Sequence, residues 1–178
     1  MRVISGLCRG LKLSTLDGLD TRPTLDRVKE ALFSMLFDRC TDAVGLDLFA
    51  GSGALGIELL SRGGSECTFL DMSSEAINVI QNNISKAQFK DKSKIKLSDA
   101  ISFLNTTADK YDIIFIDPPY SAGLYDMVLS VIKERALLKA GGVVCIESDI
   151  KTQFETGGYT VLKDKRYGKV RLCVLELV

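Results

Sequence analysis

The chain has no histidine among its 178 residues, so it has no imidazole to act as a general base, complete a Ser-His-Asp triad or support metal-assisted hydrolysis. With three prolines and no low-complexity stretch, no segment reads as an interdomain linker. No apolar run reaches the roughly 18 residues that would suggest a membrane span, and the start is unlike a signal peptide, so a soluble cytoplasmic protein is expected. The five cysteines, Cys8, Cys40, Cys67, Cys145 and Cys173, form no C-x-x-C pair, which argues against both a zinc site and a disulfide framework. Cys67, Cys145 and Cys173 sit in strand-like apolar runs, where cysteine behaves as a small hydrophobe. No metal is expected.

Net charge is also lacking, with 23 basic against 23 acidic residues. Its distribution is uneven: residues 1–39 hold 7 bases and 5 acids, residues 40–150 hold 10 and 15, and residues 151–171 hold 6 and 2. Basic ends around an acidic middle suit a polyanion laid across one face, because local patches steer binding more than the total does. A charge run is also what any solvated surface shows, so this pattern only supports a nucleic-acid reading. At 46% hydrophobic the chain is long enough for one α/β domain over residues 1–178, with residues 1–40 as an extension and 41–178 as the core. Nothing in it calls for a second copy, and a monomer is the expectation.

What is present begins with Val44-Gly-Leu-Asp-Leu-Phe49, a buried strand by its apolar run, followed by a helix from Ala54 to Leu60. Between them Gly51-Ser-Gly-Ala-Leu-Gly56 fits G-x-G-x-x-G, which allows a tight turn and close approach of a ligand to the helix N-terminus. Alone this is a weak signal. The next strand, Cys67-Thr-Phe-Leu70, ends in Asp71, placed to accept ribose hydroxyls, and a third, Ile95-Lys-Leu-Ser98, ends in Asp99. Any one of these acids is most often a turn former or helix cap. Three in series at successive strand ends point to a ligand, since open α/β sheets bind ligands there.

Residues this far fit NAD and S-adenosylmethionine (SAM) alike. Asp47 inside the first strand and the loop Phe49-Ala-Gly-Ser-Gly53 resemble the cofactor loop of class I SAM-dependent methyltransferases. That resemblance implies SAM bound by Asp47, Gly51 and Gly53 at the methionine part, Asp71 at the ribose and Asp99 at the adenine, with Phe49, Ser52, Met72 and Ala100 as further cofactor contacts.

The fourth strand, Tyr111-Asp-Ile-Ile-Phe-Ile116, runs into Asp117-Pro-Pro-Tyr120. Two prolines fix the backbone and remove two N–H donors, leaving the Asp117 carboxylate and the Pro118 carbonyl as acceptors facing one space. Both can accept from the two N–H bonds of an exocyclic amine, with Tyr120 stacked on its ring. The run resembles the [DN]-P-P-[FYW] motif of amino methyltransferases. The plainer alternative is a strand-ending turn with a packed tyrosine.

At the N-terminus, residues 1–13 read as a short hairpin. Thr21-Arg-Pro-Thr-Leu-Asp-Arg-Val-Lys-Glu-Ala-Leu-Phe33 then opens a helix with Thr24 as N-cap and Arg27, Lys29 and Glu30 turned outward. Residues from Tyr159 to Gly168 and from Val170 to Val178 read as a closing antiparallel hairpin. Arg2-Val-Ile-Ser-Gly6 with Arg9-Gly10, then the Thr-Arg-Pro-Thr and Arg-Val-Lys-Glu block, the glycine loop and Asp-Pro-Pro-Tyr occur in the order seen in the bacterial small-subunit rRNA guanine-N2 methyltransferase family. The sequence is similar to that family over essentially its whole length.

That resemblance implies a Rossmann-like class I fold: a seven-stranded, mostly parallel sheet with helices on both faces, a C-terminal antiparallel hairpin and a short N-terminal β/helix extension. It implies methylation of the exocyclic N2 of a guanine in 16S rRNA, with the RNA in an assembling ribosomal particle. Asp117, Pro118 and Tyr120 would hold the guanine, and Arg22 and Thr24 would form the rim between cofactor and RNA. Beside the resemblance, Arg9 and Arg27 are RNA-facing candidates and Lys163, Lys165, Arg166, Lys169 and Arg171 are candidate phosphate contacts, with a solvated hairpin as the plainer alternative. The rivals are methylation of DNA adenine or protein glutamine, an idle SAM- or RNA-binding module, and a NAD-dependent oxidoreductase, which would leave Asp-Pro-Pro-Tyr unexplained.

Overall fold

A computed structural model of the chain describes residues 1–16, 23–118 and 124–178, with side chains in the first helix described from residue 26 onward. In chain order the elements are α1 (Pro23–Leu36), β1 (Val44–Asp47), α2 (Ala54–Ser61), β2 (Glu66–Asp71), α3 (Ser74–Ala87), β3 (Ser93–Leu97) and α4 (Ala100–Thr106). They continue with β4 (Tyr111–Ile116), α5 (Tyr125–Glu134), β5 (Leu138–Asp149), β6 (Tyr159–Tyr167) and β7 (Val170–Leu177). The strands form a seven-stranded sheet in the order β3-β2-β1-β4-β5-β7-β6. The first five run parallel, and β7 and β6 close the edge antiparallel. This is the expected class I architecture. Strand order reverses between β1 and β4, which opens a crevice at their carboxyl ends.

The middles of the central strands are apolar on both faces because both faces are covered. Ile113 and Phe115 of β4 face Val28, Leu32, Phe33 and Leu36 of α1, whereas Ile114 and Ile116 face Val128, Leu129 and Ile132 of α5. A third cluster packs Ile57 and Leu60 of α2 and Ile80 and Ile84 of α3 on Cys67 and Phe69, with Val3 and Leu13 of the N-terminal segment. Cys40, Cys67, Cys145 and Cys173 are buried and unpaired, as their apolar settings imply.

Two expectations are corrected. The expected N-terminal hairpin or strand pair is present only in reduced form, as one antiparallel bridge, Arg2 to Lys12, flanked by the Val3 N–H donating to the Leu11 carbonyl at 2.9 Å and the Leu13 N–H to the Met1 carbonyl at 3.1 Å. Lys29, expected to face outward, is 4% exposed. Its ammonium donates to the Arg2 carbonyl at 2.6 Å and lies 3.2 Å from Glu58, a carboxylate with no exposure at all. Glu58 also accepts from the Ile4 and Ser5 N–H groups at 2.8 and 3.0 Å and pairs with Arg62 at 2.8 Å. Helical spacing predicts which face a residue occupies but not whether a second layer covers that face. Here residues 1–5 are that layer, and a buried carboxylate holds their backbone.

Removing Glu58 leaves a buried ammonium without its counter-charge and two backbone donors unpaired. Glu58→Ala should therefore destabilise the protein by about 3–5 kcal/mol, read as a lowered urea midpoint with an unchanged slope.

Candidate active site

The crevice is built by the turn from β1 into α2. Gly51 and Gly53 take φ of +53° and +77°, a region that suits glycine. Gly56 serves another purpose: a Cβ there would fall 2.3 Å from Phe69 Cε1, so its absence lets α2 press onto β2. The Gly56 N–H donates to Asp47 Oδ2 at 3.1 Å, the Gly51 N–H to Asp71 Oδ2 at 2.9 Å, and the Asn83 side-chain amide to the Ser52 carbonyl at 2.9 Å. Asp71 Oδ1 accepts from the Ser73 N–H at 2.9 Å. The acid expected at a ribose thus also braces the glycine loop, as each of its oxygens can accept more than one bond. The N-cap residue Gly53 has no side chain to cap α2, and Asp47 takes only the Gly56 N–H, so the rest of the first turn offers N–H groups and the positive end of the helix dipole to the crevice.

Carboxylates lie along this edge at the end of each parallel strand. In sheet order they are Asp99, Asp71, Asp47, Asp117 and Glu147. The register pairs Asp47 with Phe69 and Phe115, Asp71 with Leu97, and Phe115 with Cys145. Because side chains alternate faces, residues two further along each strand keep the same face, and all five acids share one parity. Asp99 is exposed and caps α4 through the Ser102 N–H at 2.9 Å. Ala100 behind it is buried, and Phe49 is half-buried under the loop. Met72 and Leu97, at the ends of neighbouring β2 and β3, expose 79% and 60% of their surface, an apolar pair beside the acids.

Asp47 is 2% exposed, and burial outweighs the Gly56 hydrogen bond to push its carboxyl up to about 7, with Asp71 adding repulsion. Asp117 is held well above the ordinary carboxylate range by burial first, then by Glu147 and Asp47. Among the described residues no salt bridge of Asp47 or Asp117 to a lysine or arginine is present. Such an edge favours a ligand that brings positive charge or several N–H donors.

Of the residues expected to meet RNA, Arg22 and Tyr120 lie outside the described residues. Thr24 falls in α1, which begins one residue earlier at Pro23, and its side chain is likewise outside them. Arg27 is exposed on α1. Lys165, Arg166 and Lys169 are exposed around the β6–β7 turn, beside the carboxyl end of β5, where the Ile150 N–H donates to the Lys169 carbonyl at 3.0 Å. Arg9 lies apart from this turn: the Leu7 N–H donates to the Ser61 carbonyl at 2.8 Å, placing this segment at the far end of α2, about 12 Å from the glycine loop. Arg171 is also reassigned, since it pairs with Asp164 at 2.8 Å and lies over the Phe154 ring at 4.8 Å. Glu147 is the residue that sequence reasoning missed, although Val143-Val-Cys-Ile146 ending in an acid repeats the pattern that marked the other four.

The family model described as conserved hypothetical protein 95 matches residues 1–176. The chain belongs to this family. A relative from Bacillus subtilis (strain 168), "Putative rRNA methyltransferase YlbH", is 38% identical over 99% of this chain and 98% of its own length. "Ribosomal RNA small subunit methyltransferase D" of Escherichia coli (strain K12) is 33% identical over 96% of this chain and 86% of that protein. A solved structure, "Putative methyltransferase yhhF from Escherichia coli", superposes with a TM-score of 0.88 at 30% identity, covering 99% of this chain and 97% of that one. In family and fold the chain is a class I methyltransferase.

Asp47 makes a pH prediction for the ligand-free protein. Its folded carboxyl, at about 7, lies above the ordinary 3.8, so the folded state holds a proton that the unfolded chain releases. Its contribution to stability is full below pH ~4 and is lost as pH rises through 7. Asp47→Asn keeps an acceptor for the Gly56 N–H without the charge, so its melting temperature relative to wild type should rise between pH 5 and 8.5. A difference flat across that range would contradict the assignment.

Proposed function

We propose that the protein transfers a methyl group from SAM to the exocyclic N2 of a guanine in small-subunit rRNA, with the RNA in an assembling ribosomal particle. The observation that carries this reading is the row of carboxylates along the carboxyl edge of the parallel sheet at the switch point, with Asp117 leading into Pro118 next to the glycine loop. The family's named rRNA methyltransferases support it. The crevice suits SAM chemically: Asp47 without a salt-bridge partner fits its ammonium, the remaining first-turn N–H groups of α2 fit its carboxylate, Asp71 and Asp99 fit the ribose and adenine, and the exposed Met72 beside Asp71 fits an apolar ring face. When bound, SAM supplies a methyl group on a sulfonium, the S–C bond breaking as the N–C bond forms.

The chain's own residues position the amine. Asp117 and the Pro118 carbonyl accept its two N–H bonds, turning the nitrogen lone pair toward the methyl donor, and Tyr120 stacks on the ring. The nitrogen needs no base before attack. Its surplus proton then passes to Asp117, whose elevated pKa makes its carboxylate the stronger acceptor, or to water. Since paired bases are hidden, the guanine is unpaired or splayed into the crevice. The basic turn of Lys165, Arg166 and Lys169 offers its phosphates a rest beside the acidic edge.

The deciding experiment is transfer from labelled SAM to unmethylated small-subunit particles, naked rRNA, duplex DNA and a protein mixture, with nucleoside or amino-acid analysis of the product. N2-methylguanosine is expected; methyladenine or methylglutamine would overturn the substrate. Asp117→Ala should abolish turnover with SAM affinity unchanged within about threefold, as an interaction made only with the amine requires. If affinity fell together with turnover, the role given to Asp117 would be wrong. Replacing Lys165, Arg166 and Lys169 with alanine should reduce the slope of log affinity for RNA against log salt by about 2.

A further inference from the structure

Glu147 is not needed by the mechanism above, yet it is fixed beside its centre. The register between β4 and β5 ends on Ile116 opposite Ile146, and one further residue on each strand brings Asp117 abreast of Glu147. Neighbouring strands lie about 4.8 Å apart. On its other side Glu147 pairs with Leu172 of β7, a residue of the cluster under α1, so its side chain shares the face of Phe115 and Asp117. It is 9% exposed, its carbonyl accepts from the Tyr125 hydroxyl at 3.0 Å, and its charge acts on Asp117. Two carboxylates therefore stand side by side on rigid strand ends where the target base is to sit.

Among the bases, guanine carries N–H donors at both N1 and the adjoining N2. Adenine and cytosine instead set a lone pair, at N1 or N3, beside their amino group. A second acceptor next to the amine-holding one rewards guanine and repels the other two. We propose that Glu147 is a specificity-determining residue that accepts the N1–H of the target guanine while Asp117 and Pro118 hold its amino group. This rests on the guanine-N2 reading, and its test separates the two.

The probe is 2-aminopurine placed at the methylated position of small-subunit RNA, in whichever form, naked or reconstituted, wild type modifies. This base keeps the 2-amino group but has a lone pair at N1. Wild type should methylate it with kcat/KM lower than for guanine by about 10- to 100-fold. Glu147→Gln can donate its amide N–H to that lone pair, so the ratio should fall to within about threefold, with SAM affinity and melting temperature reported alongside. An unchanged ratio in a folded Glu147→Gln that binds SAM would overturn the role of Glu147 and leave the guanine-N2 reading standing. If the variant did not fold, equal use of guanine and 2-aminopurine by wild type would overturn it instead, and a 10-fold preference would uphold it. A wild-type product other than N2-methylguanosine would overturn the broader reading and this inference with it.

Discussion

The hydrogen bond from the Gly56 N–H to the buried Asp47 carboxylate is the join on which the crevice depends. It crosses from the first turn of α2 to the end of β1 and so sets the span of the glycine loop between them. The join is possible only because Gly56 has no Cβ and α2 can rest directly on Phe69. From there the order continues outward, with Asp71 gripping Gly51 and Asn83 gripping Ser52, so the loop is held from two strand ends and the body of α3 at once. A loop held this way can present its free N–H groups without collapsing onto them.

The same arrangement leaves the ligand-free protein under electrostatic tension. Asp47 and Asp117 sit where burial disfavours their charge, near one another and near Glu147. Removing a carboxylate from water costs several kcal/mol unless an opposite charge or donors meet it. In the proposed reaction a sulfonium and an ammonium meet the Asp47 side, and the donors of a guanine edge meet the Asp117 side. On that proposal the two reactants would relieve the tension, and affinity and placement would share one cause.

Charge balance has the same logic at a larger scale. A chain of zero net charge keeps its acids along the carboxyl edge of the parallel sheet and places exposed bases at the β6–β7 turn beside it. A polyanion can then rest on the flank while one neutral base enters the acidic crevice. The N-terminal segment contributes by packing. Its backbone is held by Glu58 and Ser61, and at Ser14 it reaches Asn83, which also holds the cofactor loop.

By itself the sequence determined the local grammar. Periodicity locates β1 to β4, and β4 is bounded by its apolar run Ile113 to Ile116 between Asp112 and Asp117. The glycine spacing located the loop, and acids ending apolar runs located four of the five carboxylates. Tertiary structure decided what depends on residues distant in the chain. Lys29 has the spacing of an outward residue and is buried because residues 1–5 fold over it. Arg171 is withdrawn by Asp164 across a hairpin, and Arg9 is carried to the far end of α2. Glu147 gains meaning only when β5 is laid beside β4, for its neighbour Asp117 lies 30 positions earlier and no local pattern links the two. Side-chain type and spacing are written locally, whereas burial and charge environment are properties of the assembled layers.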